Sequence, residues 1–200
     1  MITFKNRIHT EKMNSYLIKI DTFINSLDQE TLAALNNIST TRTLKKGEFL
    51  LRQDEICSKS YFIEEGIVRK YYLDDGKEIT TELYFKDDIA VSFNSYCLQT
   101  TSNEFIQAVT DITVSQTDFK GFQNAKKQFP KLTELDLMLT EYYAIWLEDR
   151  LFQFRTLDAT TRYLKLIKEH SHIIKNIQLT HIASYLGISL ETLSRIRSKI

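Results

Sequence analysis

The residues best suited to chemistry lie in the stretch QLTHIASYLGISLETLSRIRSKI, which spans positions 178–200. Its second half carries polar side chains at helical spacing, while Leu193 and Ile196 would face a core. Arginine can pair with guanine through two hydrogen bonds, glutamate can accept one from cytosine, and serine or threonine can reach bases or phosphates. These residue types predict a nucleic-acid-reading surface formed by Thr180, Ser189, Glu191, Thr192, Ser194, Arg195 and Lys199.

Two short helices joined by a tight turn would position these side chains. Thr180 can cap a first helix, THIASYLG, and Ser189 can cap a second. Gly187 permits the sharp turn between them, and Ile188 would fill the angle that they enclose. The pattern predicts a helix-turn-helix whose second helix enters the major groove. Two amphipathic helices with merely solvated charges are the alternative.

The distribution of charge agrees with this prediction, although the formal net charge of the whole chain is zero. Positions 160–200 hold seven basic and two acidic residues, a net charge of +5, which leaves −5 for positions 1–159. Only a surface that faces phosphates needs to be positive. An acidic sensing part joined to a basic binding part would have this distribution.

The middle of the chain predicts an antiparallel β-structure. Positions 40–119 alternate apolar and polar residues and are rich in Ile, Val, Thr, Tyr and Phe, which is typical of short strands. Asp75-Gly76 is a strong hairpin signal, because glycine accepts the positive φ of a tight turn. Upstream, positions 14–38 predict two short helices, with Asp28 ahead of the second.

A long helix is predicted from Pro130 onward. Its apolar residues recur at alternating steps of three and four, which predicts a coiled-coil-like seam. That seam is the expected dimer interface, and a helix packed wholly within its own chain is the alternative; its residues are Leu132, Leu135, Leu139, Tyr142 and Trp146. Asp158 can cap the next helix. We therefore expect a sensing domain at 1–130, the long helix at 131–157 and a helix-turn-helix domain at 158–200.

The segment ASYLGISLETLSRIRSKI resembles the recognition-helix signature of the Crp/Fnr family of transcription regulators. The resemblance extends over about positions 20–200. It implies an α+β fold with a cyclic-nucleotide-binding-like, jelly-roll β-barrel, a long dimerisation helix and a C-terminal winged helix-turn-helix. It also implies that Glu191 and Arg195 read bases of a pseudo-palindromic double-stranded DNA, and that RNA polymerase is a partner. Leu190 stands where many members carry arginine.

The chain departs from the family where cyclic nucleotides are held. Lys86 stands in place of the family's glycine, Asp87 in place of its glutamate, and Ser102 or its neighbours in place of its arginine. A buried phosphate needs a cationic fork or exposed backbone amides, and no basic residue lies between Asp87 and Lys120. The sequence therefore predicts that the barrel binds no cyclic nucleotide.

What remains is either an empty barrel or an aromatic pocket for an unknown small molecule. Residues at such spacing also form ordinary cores. The pocket would be lined by Tyr84, Phe85, Phe93, Tyr96 and Phe105 from the barrel, and by Tyr142, Tyr143 and Trp146 from the long helix.

Other function classes find little support. Cys57 and Cys97 are too few for a structural zinc site or an iron–sulfur cluster, and they are either two reduced thiols or a redox-sensing pair. No metal-ligand spacing, phosphate loop or nucleophile elbow indicates an enzyme. No apolar run is long enough for a membrane span or a signal peptide, so a cytoplasmic location is expected. The sequence thus predicts a homodimeric DNA-binding regulator, with a ligand-binding or protein-interaction module of the same fold as the alternative.

Overall fold

A computed structural model describes residues 15–171 and 173–199 of the chain. It divides into two compact units, one formed by Met1–Asn37 with Phe122–Asp158 and the other by Ile38–Gly121 with Ala159–Ile200. The elements in chain order are α1 (15–25), α2 (Gln29–Asn37), β1 (Ser39–Leu44), β2 (Phe49–Leu51), β3 (Lys59–Glu65), β4 (Val68–Asp74), β5 (Lys77–Tyr84), β6 (Ile89–Ala90), α3 (Phe93–Leu98), β7 (Glu104–Ala108), β8 (Ile112–Asp118), α4 (Phe119–Gln128), α5 (Pro130–Thr156), α6 (Ala159–Glu169), α7 (Ile173–Asn176), α8 (Leu179–Leu186) and α9 (Leu190–Arg197).

The first unit is helical, and its longest element is α5. Asp28 caps α2 as predicted, because its carboxylate accepts a hydrogen bond of 2.8 Å from the backbone N–H of Thr31. Lys131, at the start of α5, lies 3.2 Å from the same carboxylate. Proline at the first position of α5 explains where that helix begins, since its ring presets φ and its missing N–H is not needed there.

The predicted seam of α5 is partly closed, since only Leu139, Tyr142 and Trp146 of its five residues keep some exposure, and its role as the dimer interface stays a prediction. Leu132 and Leu135 are 0% and 4% exposed, so they are core residues of their own chain and are closed to a partner. A different stripe, also at alternating steps of three and four, faces solvent; it consists of Leu137, Thr140, Ala144, Leu147, Leu151 and Phe154. The helix therefore has two apolar stripes, and periodicity alone did not distinguish the one that packs inside the chain.

The second unit begins with two four-stranded antiparallel sheets. Their strand orders are β1-β8-β3-β6 and β2-β7-β4-β5. Residues of both sheets form one buried cluster, with Ile63, Val68, Ile106 and Val114 fully buried at its centre. The predicted hairpin joins β4 to β5, and Asp75 and Gly76 both have positive φ, which matches a type I′ turn.

Four helices complete this unit. They form a second buried cluster, in which Ile173, Ile182 and Leu193 are completely buried. Within 159–171 and 173–199 every regular element is a helix, so a wing strand is not seen in that part of the chain. Among the residues described, no helix is both long and apolar enough to cross a membrane.

Candidate nucleic-acid interface

Helix α8 begins two residues earlier than predicted. Its N-cap is Gln178, whose side chain makes no capping hydrogen bond, and Thr180 lies exposed inside the first turn. Ile177 and Ile182, the residues before the cap and in the fourth helical position, are both in the second buried cluster. This spacing is that of a hydrophobic staple, which sets where a chain enters a helix. The prediction of Thr180 as a cap is therefore wrong.

The turn between α8 and α9 is formed as predicted. Gly187 has φ of 65° and ψ of 39°, the left-handed conformation that glycine adopts without strain, and its N–H donates to the carbonyls of Ala183 and Ser184. Arg162 of α6 donates from Nη2 to the carbonyl of Leu186 at 3.0 Å. This contact, which ties the end of α8 to α6, was not predicted, because a lone arginine does not reveal its partner.

Helix α9 presents the predicted polar face. Ser189 caps it, since its hydroxyl accepts from the N–H of Thr192 at 3.1 Å. Leu193 and Ile196 point into the core, whereas Glu191, Ser194, Arg195 and Lys199 are exposed and Thr192 is half-buried. The structure thus places the predicted residues from Ser189 to Lys199 on α9 or directly beside it, while Thr180 lies on α8.

The two predicted base-reading residues lie one turn apart. Nε of Arg195 is 3.4 Å from the carbonyl oxygen of Glu191, so the guanidinium lies along the outer face of α9. Hydrogen bonds from its own backbone N–H and from Ser189 lower the pKa of Glu191, and Arg195 lowers it further. Glu191 is therefore an acceptor at neutral pH, as pairing with cytosine requires. Leu190 beside it is 42% exposed.

The barrel aromatics do not form one pocket. Tyr84 belongs to the barrel cluster and Tyr96 packs against it, but Phe85 belongs to the cluster of the C-terminal helices. Phe85 stacks on His170 with 3.6 Å between ring centroids, and Phe105 stacks on Tyr71 at 4.9 Å. Neighbouring side chains of a strand point to opposite faces, so the prediction that Phe85 and Phe105 line the barrel interior is wrong.

The remaining predicted pocket residues belong to helices. Phe93 opens α3 and is half-buried. Tyr142, Tyr143 and Trp146 belong to the other unit, where Tyr143 and Trp146 stack at 5.8 Å along α5.

A polar cluster, which the sequence reasoning missed, lies inside the barrel. Nζ of Lys70 is 2.6 Å from Oε1 of Glu82 and 3.6 Å from Oε1 of Glu104. The hydroxyl of Tyr84 donates to Glu82 at 2.6 Å, and that of Ser92 donates to Glu104 at 2.6 Å. Lys70 and Glu82 are only 3% and 6% exposed. Lys70 occupies an inward position of β4, and the alternation of that strand would have been the signal for it.

Ser102, at or near the position of the family's arginine, is also buried in this cluster. Its hydroxyl lies 2.9 Å from that of Ser92. Two carboxylates thus surround the one ammonium group of the cluster. Such a set favours a cation over a phosphate.

Metal and redox chemistry have no assembled site in the part of the chain that the structure describes. No group of three or more His, Cys, Asp or Glu side chains there could hold a metal ion. Cys57 is buried, Cys97 is exposed, and no disulfide joins them. Burial raises the pKa of the Cys57 thiol and so disfavours its reactive thiolate. A redox role for these cysteines stays a prediction.

Known proteins resemble this chain in sequence. Residues 41–129 match the family model of the cyclic nucleotide-binding domain. The chain is 25% identical over 189 residues to the transcriptional activator protein Anr of Pseudomonas protegens, covering 86% of this chain and 75% of Anr.

Two solved structures have the same fold over most of their length. FixK2 from Bradyrhizobium japonicum aligns with a TM-score of 0.66 at 20% identity, over 81% of this chain and 84% of FixK2. A Crp/Fnr-family regulator from Eubacterium rectale aligns with a TM-score of 0.64 at 20% identity, over 86% and 82% of the two chains.

The fold and the matched domain define a cyclic-nucleotide-binding-type barrel followed by a helix-turn-helix. The chain is similar in sequence to the activator Anr, and in fold to a regulator of the Crp/Fnr family.

Proposed function

We propose that the protein regulates transcription by binding a specific DNA sequence with α9. The observation that carries the proposal is the exposed polar face of that helix, in which Glu191, Ser194 and Arg195 project outward while Leu193 and Ile196 hold the helix in its core. The capped start of α9 supports the proposal, because residues near the start of a recognition helix approach the base edges.

Replacement of Arg195 by alanine tests the proposal. We expect the variant to lose about 1–3 kcal/mol of binding free energy for a native promoter fragment and to relax its preference at one base position, because a bidentate contact to guanine disappears. Fluorescence anisotropy with promoter fragments from the source genome measures both effects. Arg42→Ala removes the same charge from an exposed position of β1 and should change neither.

The same experiment separates this proposal from the alternative function. A ligand-binding or interaction module that has lost DNA contact would bind promoter fragments weakly and no differently after Arg195→Ala. Contact with RNA polymerase stays a prediction.

The protein acts as a homodimer in this proposal. The exposed stripe of α5 has the three-four spacing of a two-stranded coiled coil, and four of its six residues are large and apolar, which suits a second copy of the same helix. Two copies of α9 would then read the two halves of a pseudo-palindromic site, one helical turn or a multiple of it apart.

The barrel of this regulator binds no cyclic nucleotide. The cluster of Lys70, Glu82 and Glu104 commits the interior cation to carboxylates and leaves a negative balance where a phosphate would need a positive one. We expect isothermal titration with cyclic AMP or cyclic GMP to give no heat of binding and no rise in melting temperature. Saturable binding of either nucleotide would overturn this part of the proposal. A small-molecule effector of another kind stays a prediction.

A further inference from the structure

The first helix of the helix-turn-helix, α8, is docked on the barrel. The hydroxyl of Ser184 accepts a 2.8 Å hydrogen bond from the backbone N–H of Thr80 in β5. Strand β5 is the last strand of its sheet, so α8 covers an edge whose N–H groups have no neighbouring strand. Beneath it, Leu83 of β5 and Phe85, just after the strand, are part of the same buried cluster as Ile182 and Ala183 of α8.

An ion-pair cluster closes one side of this docking surface. The guanidinium of Arg69 lies 2.7 Å from Glu78, 2.9 Å from Nδ1 of His181 in α8, and 2.7 Å from the side-chain oxygen of Gln107. Arg69 is only 4% exposed, although it projects from the outer face of the sheet. Its burial is completed by stacking over Tyr71, at 4.0 Å to the ring centroid.

The docking surface is more polar than the core of either part. Besides the Arg69 cluster, it leaves Oγ1 of Thr80 buried with no hydrogen-bond partner among the residues the structure describes. A buried hydroxyl without a partner costs about 1–3 kcal/mol relative to a hydrated one. If α8 undocked, water would hydrate the hydroxyl of Thr80. This hydration would recover part of the free energy that breaking the contacts of α8 costs. These features suit a contact that opens and closes.

Two features of the docked state would oppose DNA binding. In a helix-turn-helix the first helix crosses the phosphate backbone, yet His181 in the first turn of α8 is tied to Arg69 of the barrel. The neighbouring hairpin exposes Asp74 and Asp75 against one lysine, Lys77, so its net negative charge would oppose phosphates that approach α8; Glu78 is already paired with Arg69. Repulsion between exposed charges acts over about 8 Å at physiological salt.

We propose that the contact of α8 with β4 and β5, made by Ser184 and His181 on one side and Thr80 and Arg69 on the other, is an autoinhibitory latch that lowers DNA affinity while closed. The proposal rests on the function proposed above. It adds the surface that would control DNA binding.

The latch is built on the strands that carry the polar cluster inside the barrel. Lys70, whose ammonium pairs with Glu82 in the interior, follows Arg69 directly on β4. The register of β4 and β5 shifts between Lys70 and Tyr71, so that Lys70 pairs with Glu82 and Tyr71 with Thr80. The pair of Lys70 and Glu82 thus borders the bulge that lies next to Thr80. The interior pair and the latch share one irregular stretch of backbone.

Two opposite perturbations test the latch. Arg69→Met removes the guanidinium from the docking surface and keeps the length of the side chain. Its control is Arg52→Met, which removes the same charge from an exposed position just after β2 of the same sheet, where Arg52 stacks over Phe49. Thr80→Cys with Ser184→Cys, in a Cys97→Ser background, closes the latch covalently when oxidised. The 2.8 Å bond between these two residues places their Cα atoms within about 7 Å, the range that a disulfide spans.

Two measurements read the outcome on the full-length protein. Amide hydrogen exchange at Thr80 reports opening, and anisotropy with a promoter fragment reports DNA affinity. We expect Arg69→Met to speed exchange at Thr80 and to raise DNA affinity about fivefold or more, which is the lower end of known couplings. We expect the oxidised double-cysteine protein to bind at least about fivefold more weakly than the same protein after reduction. Arg52→Met should match the wild type in both measurements.

The results that overturn the latch differ from those that overturn the proposed function. Faster exchange at Thr80 without tighter binding, or equal affinity of the oxidised and reduced double-cysteine protein, means that α8 binds DNA equally well while docked. Unchanged exchange in Arg69→Met means that Arg69 does not hold α8. If the wild type binds no promoter fragment at any salt concentration, the DNA-binding function itself is wrong and the latch has nothing to control.

Discussion

Single residues in the barrel set how stability depends on pH, and Asp88 is the clearest case. Its carboxylate accepts a 2.7 Å hydrogen bond from the backbone N–H of Phe85. Burial nevertheless raises the pKa of Asp88 to about 6 from an ordinary 3.8, and the charges of Asp87 and Glu82 raise it further. The folded protein therefore binds more protons than the unfolded chain between about pH 4 and pH 6, so stability falls as pH rises through that window.

Replacement of Asp88 by asparagine should remove this effect. Asparagine keeps an oxygen that accepts from Phe85 but carries no charge to bury. We expect the variant to be more stable than the wild type at pH 7.5 by up to about 3 kcal/mol and to be equal to it near pH 3.5. Urea unfolding at both pH values measures the difference.

The exposed Asp54→Asn, at a left-handed position that asparagine tolerates, should change little at either pH. An equal change in the stability of Asp88→Asn at both pH values would contradict the assignment.

Predictions for single residues are confirmed where the residue type itself decides the backbone conformation. The cap at Ser189 and the turn at Gly187 are confirmed, because each depends on local backbone chemistry that the residue type itself reveals. The cap at Thr180 is wrong, because the burial of Ile177 and Ile182 decided where α8 begins. The cation of Lys70 inside the barrel was missed, although the alternation of β4 places Lys70 on the same face as the buried Val68.

Helix α5 has one apolar stripe that is buried in its own chain and another that is exposed to solvent. The outward stripe includes Leu137 and Leu151, which are 58% and 56% exposed. Leucines so exposed at three-four spacing are unfavourable in water unless a partner helix covers them.

We predict that Leu151→Glu converts the proposed dimer to a monomer, because it would place a carboxylate of each subunit within the exposed stripe. Sedimentation velocity at micromolar concentration measures the change in mass. Leu164→Glu is the matched control, since Leu164 is 45% exposed on α6 and lies outside the stripe. A wild-type chain that is itself monomeric, or a Leu151→Glu variant that stays dimeric, would show that this stripe is not the interface.

The boundaries of helices and turns were easier to predict than the faces that the helices bury. Pro130 and the Asp75-Gly76 hairpin lie where the sequence placed them, since proline and glycine act on the backbone at their own position. Which stripe of a helix is buried depends instead on what packs against it, and α5 has two similar stripes. For Phe85 the information was present, because Tyr84 and Phe85 are adjacent on one chain and could not both point inward.

At the scale of the whole molecule, charge is separated along a chain of zero net charge. The basic C-terminal part would displace counterions from DNA, while the acidic remainder keeps the protein from binding DNA at random sites.

We predict that the affinity of the dimer for a promoter fragment falls steeply with salt, and that Lys199→Ala makes the dependence shallower. Each phosphate contact contributes about −0.9 to the slope of log K against log salt, so the loss of one lysine from each subunit should lessen the slope by about 2. Lys46→Ala, at an exposed turn between β1 and β2, should leave the slope unchanged. Equal slopes for Lys199→Ala and the wild type would remove Lys199 from the interface.

The position of β5 at the border of its sheet has a further consequence, for solubility. Without residues 159–200 the barrel would expose a bare strand edge together with the apolar side chains of Ile67, Leu83, Phe85 and Val109. Such an edge invites pairing with another molecule of the same kind. A barrel expressed by itself should therefore precipitate. A descendant that exchanged its DNA-reading helices for another output module would have to shield the same strand with something new.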